Sequence, residues 1–192
     1  MDVLENLEEP RLLRRRISVD DYHRMAEVGL LPDDAHVELI DGEVIDTAPM
    51  GTRHRAAVMR LSQLLHEAVG RQAQVSVQLP VQLDGQSEPE PDLALLKVRD
   101  DFYANALPTG PDCLLVIEVA DTTLAYDVRI KVPLYAQHGV PEVWVLDLGS
   151  NLLRTFSDPQ GGSYSRATAL RAPGVLGLPG LPGCSIDFSG LF

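Results

Sequence analysis

Cys113-Leu114-Leu115-Val116-Ile117-Glu118-Val119 is a nearly unbroken apolar run with one carboxylate set into it. A run of this length without polar alternation suits a β-strand covered on both faces. Val143-Trp144-Val145-Leu146 reads the same way, and from Asp127 to His138, between the two, the pattern turns helical. Ile130, Leu134 and Gln137 fall on one stripe there, with Gly139 at the C-terminal cap. Pro133 lacks an amide hydrogen, so this helix starts close before it or kinks at it.

Upstream, His36-Val37-Glu38-Leu39-Ile40 and Glu43-Val44-Ile45-Asp46 flank Asp41-Gly42, a dipeptide that accepts the positive φ angles of a two-residue hairpin turn. Thr52 is placed to cap a helix in which Ala57, Val58, Leu61, Leu64, Leu65 and Ala68 recur at helical spacing until Gly70, so one face packs on a sheet. Val75, Val77 and Leu79 alternate with Ser76 and Gln78 and continue through Pro80 to Leu83, which predicts a long strand bent at the proline. Asp84-Gly85 turns the chain and Asp92 to Lys97 forms the next strand. Ser18 with Asp21 has the spacing of a capping box; Val19, Tyr22 and Met25 share a face of the short helix that follows and that Gly29 closes. Downstream, Leu152–Phe156 pairs with Ser163–Thr168 across Asp158-Pro159-Gln160-Gly161-Gly162, and a Pro/Gly/Leu-rich strap over 173–183 leads to Phe188 and Phe192 packed on the body. Residues 1–17, which include Arg14, Arg15 and Arg16, form a mobile arm, and 18–192 form a single domain without repeats.

With 192 residues, the chain buries a self-sufficient core and needs no structural metal or disulfide to fold. Cys113 and Cys184 stand apart, without metal-ligand spacing, as in a reducing cytoplasmic setting. No apolar run approaches the ~20 residues of a membrane span. The net charge of −12 argues against a protein that coats nucleic acid nonspecifically, because such binding relies on neutralised phosphates. It leaves room for an enzyme that gathers a divalent metal with local carboxylates. No P-loop, dinucleotide fingerprint or nucleophile elbow is present.

Glu38, Asp92 and Glu118 stand inside apolar strands, where an ionised group costs several kcal/mol unless paired or metal-bound. If Asp92 and Glu118 lie at adjacent strand ends, their oxygens converge on one hard cation such as Mg²⁺, with Glu38 as a third oxygen. Lys131 then orients the attacking water or stabilises phosphate charge. Gln78, on a polar strand face, is a candidate for holding water at the metal, and Arg53 and His54 begin a helix where backbone amides favour phosphate. Each has an ordinary alternative: Asp92 as a turn residue after Pro91, Glu38 on the exposed face of a hairpin, Lys131 in an i, i+4 ion pair with Asp127, and Gln78, His54 and Arg53 as solvated surface. Tyr135 and Trp144 read most simply as core.

Val37 through Glu43, Pro91-Asp92-Leu93, Ile117-Glu118-Val119, Asp127 through Lys131 and Tyr135 through Trp144 stand in an order that resembles the Uma family of putative restriction endonucleases, in the PD-(D/E)XK nuclease superfamily. The resemblance covers about residues 18 to 190. It implies an α/β, restriction-endonuclease-like core with a mixed central β-sheet flanked by helices. It implies Asp92 and Glu118 as metal ligands, Glu38 as the acidic residue of the first element and Lys131 as the catalytic lysine. The superfamily's usual lysine position, two residues after the second carboxylate, is here Ala120, so the resemblance implies a lysine moved to the following helix. The expected activity is Mg²⁺- or Mn²⁺-dependent endonucleolytic hydrolysis of DNA, by a homodimer when both strands are cut. The alternatives are a catalytically inactive nuclease-fold binding or assembly module, and hydrolysis of RNA or a small phosphate ester at the same site.

Overall fold

The computed structural model describes residues 15–32, 36–47, 50–171 and 173–191. Residues 1–14 of the expected arm and Phe192 lie outside them. Helix α1 (Val19–Glu27) opens on the capping box: the Ser18 hydroxyl accepts the Asp21 amide, and the Asp21 carboxylate accepts from Ser18. Of the face expected to pack, only Val19 is buried; Tyr22 instead donates its hydroxyl to the Val37 carbonyl at 2.9 Å. Strands β1 (Val37–Ile40) and β2 (Glu43–Asp46) form the expected hairpin, with Asp41 and Gly42 at φ 50° and 73°. Glycine is required at the second position for a further reason: a Cβ there would sit 2.5 Å from the Arg16 Cβ. Ile17 donates its amide to the Gly42 carbonyl, which lays residues 16–17 along the hairpin.

Helix α2 (Thr52–Val69) is capped one residue earlier than the sequence suggests. Gly51 is the N-cap and Thr52 already has helical geometry, so no side chain caps the first turn. Strand β3 (Gln74–Val77) is shorter than expected because Gln78 takes a left-handed φ of 49° and turns the chain out of the sheet. The alternation that continues to Leu83 reflects burial of another kind: Val81 and Leu83 donate their amides to Pro89 and Ser87, outside the sheet, and Val81 is fully buried.

Strands β4 (Leu93–Leu96), β5 (Cys113–Ala120), β6 (Glu142–Asp147), β7 (Leu152–Gln160) and β8 (Ser163–Arg171) complete a six-stranded sheet in the order β3-β4-β5-β6-β7-β8. Only β5 and β6 are parallel, so the sheet is mixed. Parallel neighbours need a crossover, and the chain between them is helical: α3 (Leu124–Tyr126), a wide π turn over Asp127–Lys131, and α4 (Val132–Gln137). Pro133 accounts for the wide turn, since it has no N–H to donate and its ring crowds the carbonyl four residues earlier. The extra residue shifts the phase of the helix. Ile130, expected on the buried stripe, faces outward, while Lys131, Val132, Leu134 and Tyr135 are buried.

The β7–β8 hairpin is longer than expected and reverses at Gly161-Gly162 alone. The strap contains a small hairpin of β9 (Val175–Gly177) and β10 (Ser185–Asp187), and Phe188 beyond it packs against Trp144 with ring centroids 5.7 Å apart. One face of the sheet is covered by α2 and this C-terminal segment, around Leu61, Leu65, Ile117, Trp144 and Phe188. The other is covered by the crossover helices, around Val116, Val132, Tyr135, Val143 and Val145.

Candidate active site

Side chains alternate along β5, and Glu118 falls on the crossover-helix side with Val116 and Ala120. The antiparallel register pairs Leu93 with Ile117, so one step further Asp92 lies opposite Glu118, at the point where β4 begins. The two residues are tied reciprocally. Val119 donates its amide to Asp92 Oδ2 at 2.8 Å, and Asp92 donates its own to Glu118 Oε2 at 3.4 Å. Both line a cavity of about 490 Å³, together with Glu38, His54, Gln78, Glu90, Tyr126, Asp127 and Lys131.

Lys131 is almost wholly buried and points into this cavity. Its Nζ lies 2.8 Å from Glu118 Oε1 and 3.0 Å from Glu38 Oε1, with the Glu90 carbonyl at 3.4 Å. The ordinary alternative, a solvated pair with Asp127, is not what forms: Asp127 is itself buried and accepts the Thr123 hydroxyl at 2.7 Å. The wide turn before Pro133 sets both residues on the cavity side. Glu38 is likewise buried rather than on an exposed hairpin face, and its Oε2 has no hydrogen-bond partner among the described residues. Orphaned buried oxygens are uncommon, and this one belongs to a residue that lines the cavity.

His54 projects from the first turn of α2 and places Nε2 3.0 Å from Asp92 Oδ2. That contact keeps its pKa above the ordinary histidine value, against the opposing effect of burial. Gln78 reaches from its left-handed turn to within 3.4 Å of Asp92 Oδ1. Arg53 is not in the cavity wall; it donates to the Leu148 carbonyl at 2.8 Å and lies 3.5 Å from Asp121 at the rim. Of the seven residues singled out from sequence, six line one cavity and Arg53 stands beside it.

Sequence reasoning missed several contributors, Tyr135 and Glu90 among them. Tyr135 is fully buried, as a core residue should be, yet its hydroxyl donates to Glu118 Oε1 at 2.7 Å. Its spacing of four residues from Lys131 was the available signal, since helix neighbours at that distance share a face. Glu90, between Pro89 and Pro91, also lines the cavity.

The electrostatics are lopsided. Burial pushes the Glu118 carboxyl up to about 8, Lys131 opposes that shift, and Asp92, Asp127 and Glu38 reinforce it. Burial likewise raises Asp127 and Glu90. Carboxyl groups thus crowd around one ammonium group, and their raised pKa values favour proton uptake; a bound cation would take the place of those protons. The donors are hard oxygens, suited to Mg²⁺ or Mn²⁺ rather than to a soft metal. No group of three or more His, Cys, Asp or Glu among the described residues forms a ready-made cage. Asp92 beside Glu118, with the unpartnered Glu38 Oε2 nearby, would suit a cation held by one or two carboxylates and completed by water or substrate oxygens, the usual habit of Mg²⁺.

A family model, Uma2, described as "Putative restriction endonuclease", matches residues 19–189. Among solved structures, the chain is similar to "a putative nuclease belonging to DUF820 from Anabaena variabilis", with 17% identity and a TM-score of 0.73. That match covers 92% of this chain and 97% of the other. At that identity the likeness speaks for the fold. No curated protein matches. No described helix is long and apolar enough to cross a membrane.

Proposed function

The chain belongs to the Uma2 family, and from that membership and the cavity we propose that it is a Mg²⁺- or Mn²⁺-dependent endonuclease that hydrolyses phosphodiester bonds in DNA. One observation carries the reading: Asp92 and Glu118 face each other from adjacent strands in one cavity, with Lys131 Nζ 2.8 Å from Glu118. Asp92 and Glu118 would hold the cation. When bound there, a divalent ion supplies Lewis-acid polarisation of the phosphate.

The remaining work falls to the chain's own side chains. Lys131, fixed between Glu38 and Glu118, spends its third N–H only on the long 3.4 Å contact with the Glu90 carbonyl, and would turn that N–H to the attacking water or to a phosphate oxygen. The attacking water would give up one proton to solvent as its oxygen joins phosphorus, while the bond to the 3′-oxygen breaks and that oxygen takes a proton from solvent, leaving a 5′-phosphate and a 3′-hydroxyl. Glu38 holds Lys131 in place and completes the acidic cluster, and His54 and Gln78 orient Asp92. Arg53, exposed on a first turn that holds no acidic residue, is placed to meet a phosphate beside the cavity despite the chain's overall charge. Two such sites in a homodimer would cut both strands, and sedimentation velocity measures that stoichiometry.

The test is nicking of supercoiled plasmid with Mg²⁺ or Mn²⁺, comparing the unmutated chain with Asp92→Ala and Lys131→Ala. Metal-dependent nicking that both substitutions abolish is expected. No cleavage with either metal, or equal cleavage by the variants, contradicts the reading and favours the non-catalytic assembly module.

A further inference from the structure

Asp92 and Glu118 are each bound on one oxygen and left open on the other. Glu118 Oε1 accepts the Tyr135 hydroxyl at 2.7 Å and lies 2.8 Å from Lys131 Nζ, while Oε2 has only the long 3.4 Å contact with the Asp92 amide. Asp92 Oδ2 accepts the Val119 amide at 2.8 Å and meets His54 Nε2 at 3.0 Å, while Oδ1 has only Gln78 at 3.4 Å. The donors arrive from opposite layers, His54 from α2 and Tyr135 from α4.

Tyr135 is the less expected of the two. A phenol at a fully apolar position would leave its hydroxyl unsatisfied, so a tyrosine there needs an acceptor, and the acceptor it has is this carboxylate. A carboxylate on a strand with one oxygen fixed loses its freedom to rotate. Partners of this kind, one step removed from a metal, orient the ligand and typically change metal affinity by 10–100-fold.

We propose that Tyr135 is a positioning residue for divalent-cation binding: by occupying Glu118 Oε1 it presents Oε2 to the cavity, facing Asp92. This rests on the reading of Asp92 and Glu118 as metal ligands. Tyr135→Phe removes only the hydroxyl and keeps the packed ring. A second, half-buried tyrosine packed against the same layer supplies the control, since the Tyr164 hydroxyl donates to the Val140 carbonyl at 2.8 Å and not to a carboxylate of the site.

The experiment titrates Mn²⁺ into the full chain by calorimetry, for the unmutated protein and for Tyr135→Phe, Tyr164→Phe and Asp92→Ala, with a thermal melt of each. The expected result is a dissociation constant about 10-fold or more weaker for Tyr135→Phe and unchanged for Tyr164→Phe, with comparable losses of melting temperature for the two. Cleavage by Tyr135→Phe should return toward the unmutated rate at high Mn²⁺. Tyr135→Phe binding Mn²⁺ within twofold of the unmutated chain, while Asp92→Ala binds none, overturns the role of Tyr135 and leaves the metal site standing. Absence of Mn²⁺ binding by the unmutated chain overturns both. If Tyr135→Phe does not fold, the unmutated chain with labelled tyrosine rings answers instead: Mg²⁺ should shift the Tyr135 ring resonances and leave those of Tyr164 in place, and no shift at Tyr135 overturns the proposal.

Discussion

The two faces of β5 lie back to back in one strand and meet opposite surroundings. Leu115, Ile117 and Val119 enter a layer built from α2, Trp144, Leu146 and Phe188, in which the packed groups are apolar. Val116, Glu118 and Ala120 enter the layer of the crossover helices, where Glu118 shares a buried network with Lys131, Glu38 and Tyr135. The first face gains free energy from burial. The second gives part of it up, because each ion taken out of water costs several kcal/mol that pairing only partly returns. A fold can carry such a network when the other side of the sheet is packed without compromise.

Substitutions on the two faces should therefore separate function from stability. Asp92→Ala or Glu118→Ala should lower the cleavage rate by about 10²–10³-fold or more while the chain stays folded, measured as initial nicking rates beside a circular-dichroism melt. Trp144→Ala, on the apolar face, should cost about 3–5 kcal/mol in urea unfolding yet retain cleavage per folded molecule. Loss of activity there in proportion greater than loss of folded protein would show that the faces are not independent.

The sequence already exposes this contrast in part. The hairpin at Asp41-Gly42, the apolar run of β5 and the capping box at Ser18 are local signals, in which a few adjacent residues determine their own conformation. Glu118 stands out because a carboxylate within such a run needs a partner, and Lys131 proves to be that partner. The fold class and the family order of the motifs were also legible there, and the sheet and the family match agree with them. What escaped depends on distant contacts. The alternation beyond Gln78 looks like a strand because Val81 is buried, but its backbone pairs with Pro89, outside the sheet. The outward turn of Ile130 follows from the wide turn before Pro133, and a simple helical period does not contain that extra residue. The hydroxyl of Tyr135 gains its meaning only from a strand that lies 17 residues away along the chain.

Smaller effects sharpen the comparison at its edges. Arg53→Ala should weaken DNA binding across sequences and reduce the slope of log affinity against log salt by about 1, since the arginine stands outside the cavity wall and faces solvent. Fluorescence anisotropy with a metal-free duplex at several salt concentrations measures it; an unchanged slope would remove Arg53 from the substrate path. Tyr164→Phe should cost about 1 kcal/mol of stability through the lost hydrogen bond to Val140, with cleavage unaltered.

A divalent ion between Asp92 and Glu118 is the centre of the proposed mechanism. Crystals equilibrated with Mn²⁺ and measured near its absorption edge test this directly. An anomalous peak at roughly 2.2 Å from Asp92 Oδ1 and Glu118 Oε2 is the predicted result, close to the short metal–oxygen distances of small hard cations. A map with Mn²⁺ bound elsewhere, or with no peak in the cavity at saturating Mn²⁺, would contradict it.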